Sequence, residues 1–74
     1  METIAIKTEY IKLDQLLKFS GIAATGGEGK DMVLAGIVSV NGERCAMRGK
    51  KIYAGDRIKI AFEDGDYEIA VEAE

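Results

Sequence analysis

The sequence predicts an α+β domain in which two helices pack on a small, mostly antiparallel sheet. Two segments in the first half of the chain repeat hydrophobic residues with helical spacing. Near the N-terminus and through the last third, hydrophobic and polar residues alternate instead, as they do in strands. Nine glycines and no proline indicate that glycine makes the reversals between strands. With 74 residues, the chain is predicted to form one domain, residues 1–74, without room for a large catalytic cavity.

The first predicted strand covers residues 2–7, where isoleucines alternate with other residues. A helix follows, because most apolar residues between Ile11 and Phe19 fall on one helical stripe. We expect it to end at Gly21, since glycine is favoured just beyond a helix C-terminus.

The second helix is predicted to begin at Thr25 and to stop near Gly36. Thr25 suits an N-cap, and Glu28 occupies the capping-box position three residues later. Three glycines in the first turn are unusual, because each costs about 1 kcal/mol relative to alanine inside a helix. A bare backbone here would serve either a phosphate at the positive helix end or the close approach of the other helix.

The second half predicts strands joined by glycine turns. Val38–Val40 is a strand, and Asn41-Gly42 is a strong signal for a tight hairpin. Further reversals are expected near Arg48-Gly49 and at residues 54–56.

A last hairpin, with flanking strands at residues 57–62 and 67–72, is predicted to turn at Asp64-Gly65. Its apolar residues would face each other in three pairs: Phe62 with Tyr67, Ile60 with Ile69, and Ile58 with Val71. On the other face, Arg57 would lie opposite Glu72.

The charges are strongly polarised along the chain, although the net charge is only -3. Residues 44–59 carry +5, residues 60–74 carry -6, and residues 1–43 carry -2. This pattern predicts a basic surface and an acidic edge. It is also compatible with two solvated surfaces that bind nothing.

The side chains that most enzymes and metal sites need are missing. There is no histidine, and Cys45 is the one cysteine, so neither a zinc site nor an activated thiol is expected. We interpret Cys45 as a small, partly buried strand residue. The run TGGEGK lacks phosphate-loop spacing, because the first glycine is misplaced and Asp31 follows Lys30. The sequence therefore predicts a protein that is not an enzyme and has no metal or cofactor.

The N-terminal run METIAIKTEY has no basic region followed by an apolar one, and apolar runs are only a few residues long. We expect neither a signal peptide nor a membrane span, and hence a cytoplasmic protein.

Three groups of residues are candidates for binding phosphates of an RNA backbone. They are the helix-two glycines with the lysine one turn in, the lysines that flank helix one, and the bases of the hairpin and following loop. The candidate RNA-binding residues are Lys12, Lys18, Gly26, Gly27, Lys30, Arg44, Arg48, Lys50 and Lys51. Each alone is equally compatible with an ordinary solvated surface.

The order of these motifs resembles a known family. The segments IKLDQLLKFSG, TGGEGKDMVLAGIVSVNGE, RGKK and AGDRIKI, from about Ile11 to Ile60, resemble the S4 (S-four) RNA-binding domain, named after a protein of the small ribosomal subunit. The resemblance is closest to short, free-standing bacterial members. It departs at Gly26, where many members carry a basic residue.

The resemblance implies two helices on a short sheet, with a basic face for structured RNA. It further implies binding to ribosomal RNA, transfer RNA or the ribosome, in ribosome assembly or translation. We expect the domain to be a monomer. An alternative is a small protein-interaction domain that docks a translation-related partner through the acidic hairpin at residues 63–68. Some S4 domains are attached to RNA-modifying enzymes, so action beside such an enzyme stays open.

Overall fold

The computed structural model describes all 74 residues and confirms the α+β class. It contains two short helices, one five-stranded sheet and a separate two-stranded ribbon. In chain order the elements are β1 (Glu2–Ile6), β2 (Ile11–Lys12), α1 (Leu13–Phe19), α2 (Gly26–Leu34), β3 (Val38–Val40), β4 (Glu43–Arg44), β5 (Lys51–Ile52), β6 (Arg57–Phe62) and β7 (Gly65–Ala73). No helix has the length and apolar character needed to span a membrane.

The five-stranded sheet has the order β1-β7-β6-β3-β4. Only β1 and β7 pair in parallel, and the other neighbours are antiparallel, which confirms the mostly antiparallel sheet. The two ends of the chain therefore meet at one edge of the sheet. The two-stranded ribbon consists of β2 and β5, which pair antiparallel outside this sheet.

The core lies between the inner face of the sheet, the two helices and the ribbon. Its apolar members are buried, and the nine largest fully buried side chains have less than 2% of their surface exposed. These nine are Leu13, Leu16, Leu17, Ile52, Ile58, Ile60, Ile69, Val33 and Val38. Burial of leucine and isoleucine side chains is the main favourable term for so small a domain, at about 25 cal/mol per Å² of apolar surface.

The first helix is shorter than predicted. Ile11 lies in β2, because Lys12 has an extended backbone (φ -71°, ψ 145°) and is the N-cap of α1. At the other end, Phe19 is 66% exposed and does not join the buried stripe. Gly21 has a positive φ of 84°, and its N–H donates to the carbonyl of Lys18, which ends the helix as expected.

The predicted register of the last hairpin is wrong by two residues. The loop is Glu63-Asp64, one residue earlier than predicted. The observed pairs are Phe62 with Gly65, Ile60 with Tyr67, Ile58 with Ile69, and Arg57 with Ala70. Moving the loop by one residue shifts every partner by two, so each side chain stays on its predicted face.

The shift follows from the place of Gly65, which was predicted to lie in the loop but begins the next strand. Its φ of 141° occurs at the first residue of β7 and not inside the loop. Phe62 and Tyr67, which were predicted to pair on the apolar face of the hairpin, are 37% and 38% exposed. The Tyr67 hydroxyl donates a 2.7 Å hydrogen bond to Glu2, and this bond raises the pKa of the phenol.

Cys45 is buried but lies just beyond β4, so its assignment to a strand is wrong. Its N–H nevertheless donates to the carbonyl of Val38 at 2.9 Å, which extends the contact between this segment and β3.

One of the three first-turn glycines is explained by helix packing. A Cβ atom on Gly29 would lie 2.7 Å from the backbone oxygen of Asp14 on α1, a distance that real Cβ contacts essentially never show. A Cβ on Gly26 would lie 3.1 Å from the flexible Gln15 side chain, whereas one on Gly27 would meet nothing closer than 3.8 Å. The helices therefore cross at Gly29.

We predict that Gly29→Ala lowers the free energy of unfolding by about 1–3 kcal/mol, because the new methyl group overpacks the crossing of the helices. The matched control is Gly27→Ala, which is expected to stabilise the domain by up to about 1 kcal/mol through helix propensity. Urea denaturation followed by circular dichroism measures both. Equal effects of the two substitutions would contradict the packing role of Gly29.

Candidate RNA-binding interface

Backbone hydrogen bonds attach the loop between β4 and β5 to the N-terminus of α1. The N–H of Leu13 donates to the carbonyl of Lys50 at 2.9 Å, and the N–H of Asp14 donates to the carbonyl of Arg48 at 3.0 Å. The N-cap residue, Lys12, makes no side-chain capping bond. The first N–H groups of a helix lack partners within the helix, so the loop carbonyls satisfy them. The candidate bases Arg48 and Lys50 are thereby brought to the N-terminal end of α1, next to Lys12.

An ion pair strengthens this attachment. The Arg48 guanidinium lies 3.6 Å from Oδ2 of Asp14, a carboxylate whose side chain is only 8% exposed. Oδ1 of Asp14 accepts a 2.8 Å hydrogen bond from the N–H of Gln15. Because the Arg48 side chain is 57% exposed, solvent screens the pair, and we assign it roughly 1 kcal/mol.

Two further candidates, Lys12 and Lys51, face each other across the β2–β5 ribbon. Like charges directly opposite each other destabilise a strand pair. The ammonium group of Lys51 lies 4.8 Å from the ring centroid of Tyr10, which offsets part of that repulsion through a cation–π contact. A bound anion would relieve the rest.

The first turn of α2 lies beside the same end of α1, because Gly29 contacts Asp14. Oγ1 of Thr25 accepts a 3.1 Å hydrogen bond from the N–H of Glu28, as the capping motif predicted. The N–H groups of Gly26 and Gly27, at the first two helical positions, have no acceptor within the helix. Lys30, one turn in, is exposed.

The two remaining candidates lie at the margins of this cluster. Arg44 is exposed on β4 and shares a surface groove with Lys50, and it also runs past Gly36 at the C-terminal end of α2. Lys18 lies in the last turn of α1, about 9 Å along the helix axis from Lys12. The structure thus gathers Lys12, Arg48, Lys50 and Lys51 with the start of α2, and places Arg44 and Lys18 farther out.

The candidate bases also differ from the other bases in their ion pairing. Of the seven candidate lysines and arginines, only Arg48 has a carboxylate within 4.0 Å. Of the three bases outside the cluster, Lys7 pairs with Glu74 and Lys59 pairs with Asp66. The acidic residues of the chain therefore leave the candidate cations largely uncompensated.

Comparison with known proteins matches this chain to one family. The family model described as the S4 domain matches residues 4–70, which is most of the chain. The chain belongs to the S4 domain family. It is also 40% identical over 57 residues to a protein of Bacillus subtilis (strain 168) named "Probable ribosome maturation protein RlbA". That alignment covers 77% of this chain and 80% of the relative.

The reasoning from sequence missed an aromatic part of this S4 domain. The rings of Tyr10 and Tyr53 lie next to the Lys12–Lys51 pair, with centroids 6.0 Å apart. The signal was present, because Tyr10 and Tyr53 each stand two residues from a lysine in a segment that alternates. Neither segment was predicted to be a strand, so the alternation was not used to place the tyrosines on one face.

We predict that Arg48→Ala lowers the free energy of unfolding of the S4 domain by about 1 kcal/mol, because Asp14 loses its cation while staying buried. Lys50→Ala in the same loop is the control. It keeps the backbone carbonyl that caps α1 and removes no ion pair, so a change within about 0.5 kcal/mol is expected. Chemical denaturation tests both, and indistinguishable midpoints would argue against a stabilising Arg48–Asp14 pair.

Proposed function

We propose that this S4 domain binds structured RNA of the ribosome through phosphate contacts and acts in ribosome assembly, without catalysing a reaction. The observation that carries the proposal is the group of exposed cations around the N-terminus of α1, of which Lys12, Lys50 and Lys51 have no carboxylate within 4.0 Å although the chain as a whole is anionic. Such a surface gains free energy by releasing counterions from an RNA backbone.

The proposed contacts are the nine residues named from the sequence. Lys12, Lys30, Lys50 and Lys51 would neutralise phosphates, and the free N–H groups of Gly26 and Gly27 would donate to a further phosphate at the start of α2. Family members with a basic residue at the position of Gly26 would add a side-chain contact there. In this chain Lys30 and the bare backbone replace it.

Ribosomal RNA is the proposed target because a 40% identical relative is named as a ribosome maturation protein. The A-form helices of such RNA are recognised mainly by shape, phosphates and 2′-hydroxyl groups, so little sequence specificity is expected. The domain would work as a monomer in the cytoplasm, where bacterial ribosomes assemble. Crosslinking in cells followed by sequencing of the bound RNA distinguishes ribosomal from transfer RNA.

We predict that the triple variant Lys12→Ala, Lys30→Ala, Lys50→Ala weakens binding to an RNA stem-loop by at least about tenfold at 0.1 M salt, because up to three phosphate contacts are lost. None of these lysines has a carboxylate within 4.0 Å, so the fold is expected to persist. Fluorescence anisotropy with a labelled stem-loop measures the affinity.

The matched control is the triple variant Lys7→Ala, Arg57→Ala, Lys59→Ala, which removes the same charge from the three bases outside the cluster. It is expected to retain most of the affinity. Equal losses in the two variants would mean that net charge alone determines binding, and unchanged affinity in the first would refute the site.

We also predict a steep dependence of the affinity on salt. If about five phosphates are neutralised, a plot of log K against log salt concentration has a slope of roughly -3 to -5. The Lys12, Lys30, Lys50 variant is expected to flatten it by about 2–3. A slope near zero for the wild-type protein would contradict binding through phosphates.

A second candidate function is docking of a basic protein partner on the acidic hairpin. The observation in its favour is the exposure of Phe62 and Tyr67 next to the Glu63-Asp64 loop, since exposed aromatic residues are common in protein interfaces. Binding to ribosomal particles that survives nuclease treatment and is lost on Phe62→Ala would favour this function over RNA binding.

A further inference from the structure

The outward face of the β2–β5 ribbon carries two lysines and two tyrosines in adjacent pairs. Lys12 lies opposite Lys51 in the antiparallel register, and Ile52 points into the core with no exposed surface. Side chains alternate along a strand, so Tyr10 and Tyr53 lie on the same outward face as the lysines. Their ring centroids are 6.0 Å apart.

Of the two rings, Tyr53 offers the free aromatic surface. The ammonium group of Lys51 lies 4.8 Å from the centroid of Tyr10 and occupies one face of that ring. Tyr10 is also half-buried, whereas Tyr53 is 42% exposed. The planes of the two rings are tilted by 49°, so Tyr10 supports Tyr53 from the side without stacking face to face on it.

The backbone of Tyr53 is held by a rigid turn. Its N–H donates to Oδ2 of Asp56 at 2.8 Å, and its carbonyl accepts from the N–H of Asp56 at 3.1 Å. Oδ1 of the same aspartate accepts from Nδ2 of Asn41 at 3.0 Å. A ring on a fixed backbone loses little conformational freedom when a ligand covers it, so the position is prepared for binding.

We propose that the exposed face of Tyr53 stacks on an unpaired RNA base, while Lys12 and Lys51 bind the phosphates that flank this nucleotide. The inference rests on the RNA-binding function proposed above and specifies its ligand as a stem with a bulged or otherwise unpaired nucleotide. Aromatic residues beside cations on a β-surface are the usual means of holding unstacked bases. Every base presents a π face, so the site selects an unpaired nucleotide and not a particular base.

The test compares two RNA duplexes without hairpin loops that are identical except for a single bulged 2-aminopurine. Wild-type protein is expected to bind the bulged RNA more tightly and to change its 2-aminopurine fluorescence on stacking. Tyr53→Ala is expected to weaken binding of the bulged RNA by about tenfold and to leave the affinity for the fully paired RNA unchanged. Tyr53→Phe keeps the ring and is expected to retain the preference.

The control is Tyr67→Ala, which removes an equally exposed tyrosine from the acidic hairpin, where no candidate base lies. It is expected to bind both RNAs as the wild type does. Circular dichroism establishes that each variant is folded. If wild-type protein binds both RNAs equally and Tyr53→Ala changes neither affinity, the stacking site is refuted while RNA binding stands. If wild-type protein binds neither RNA, the proposed function fails as well.

Discussion

The carbonyl groups of Arg48 and Lys50 close the N-terminus of α1, and the candidate interface depends on these two hydrogen bonds. A helix that starts without a side-chain cap needs acceptors for its first N–H groups. Here the acceptors come from a loop more than thirty residues later in the chain, and that loop also carries several bases. Satisfying the helix end therefore brings Arg48, Lys50 and the strand that follows against Lys12. The charges are therefore positioned by a hydrogen-bonding requirement of the backbone.

The close crossing of the helices completes the cluster. Gly29 has no side chain, so α2 approaches the backbone of α1 at Asp14, directly beside the attached loop. The glycines of the first turn consequently have different roles. Gly29 is required for packing, whereas Gly27 has free space above it and Gly26 meets only a flexible side chain. The cost of glycine in a helix is offset at one position by a contact that no other residue permits.

Sheet topology keeps the acidic residues of the last hairpin and of the chain ends away from this cluster. Arg44 lies on β4 at one edge of the sheet, and Glu2 and Glu74 lie at the opposite edge, where the two ends of the chain meet. The Glu63-Asp64 loop projects beyond the strands that flank its hairpin, since β1 pairs with β7 only from Ile69 onwards. An anionic protein can thereby present a cationic surface, and the separation would orient it as it approaches a polyanion.

The sequence by itself determined the fold class, the order of the helices and the longer strands, the cap at Thr25, the turn at Asn41-Gly42 and the face on which each residue of the last hairpin lies. These features follow from local rules, namely periodicity, capping and turn chemistry, which act over a few residues. Alternation has a period of two, however, so it determined the face of Ile60 and not its partner, and the register proved wrong.

Only the tertiary structure decided how the charges meet. The pairing of Lys12 with Lys51, the attachment of Arg48 to Asp14 and the exposed ring of Tyr53 each join segments more than thirty residues apart. The strands β2 and β5 have two residues each, too few to show a period in the sequence. Their pairing depends on burying Ile52 in the core and on satisfying the end of α1, and both are properties of the assembled domain.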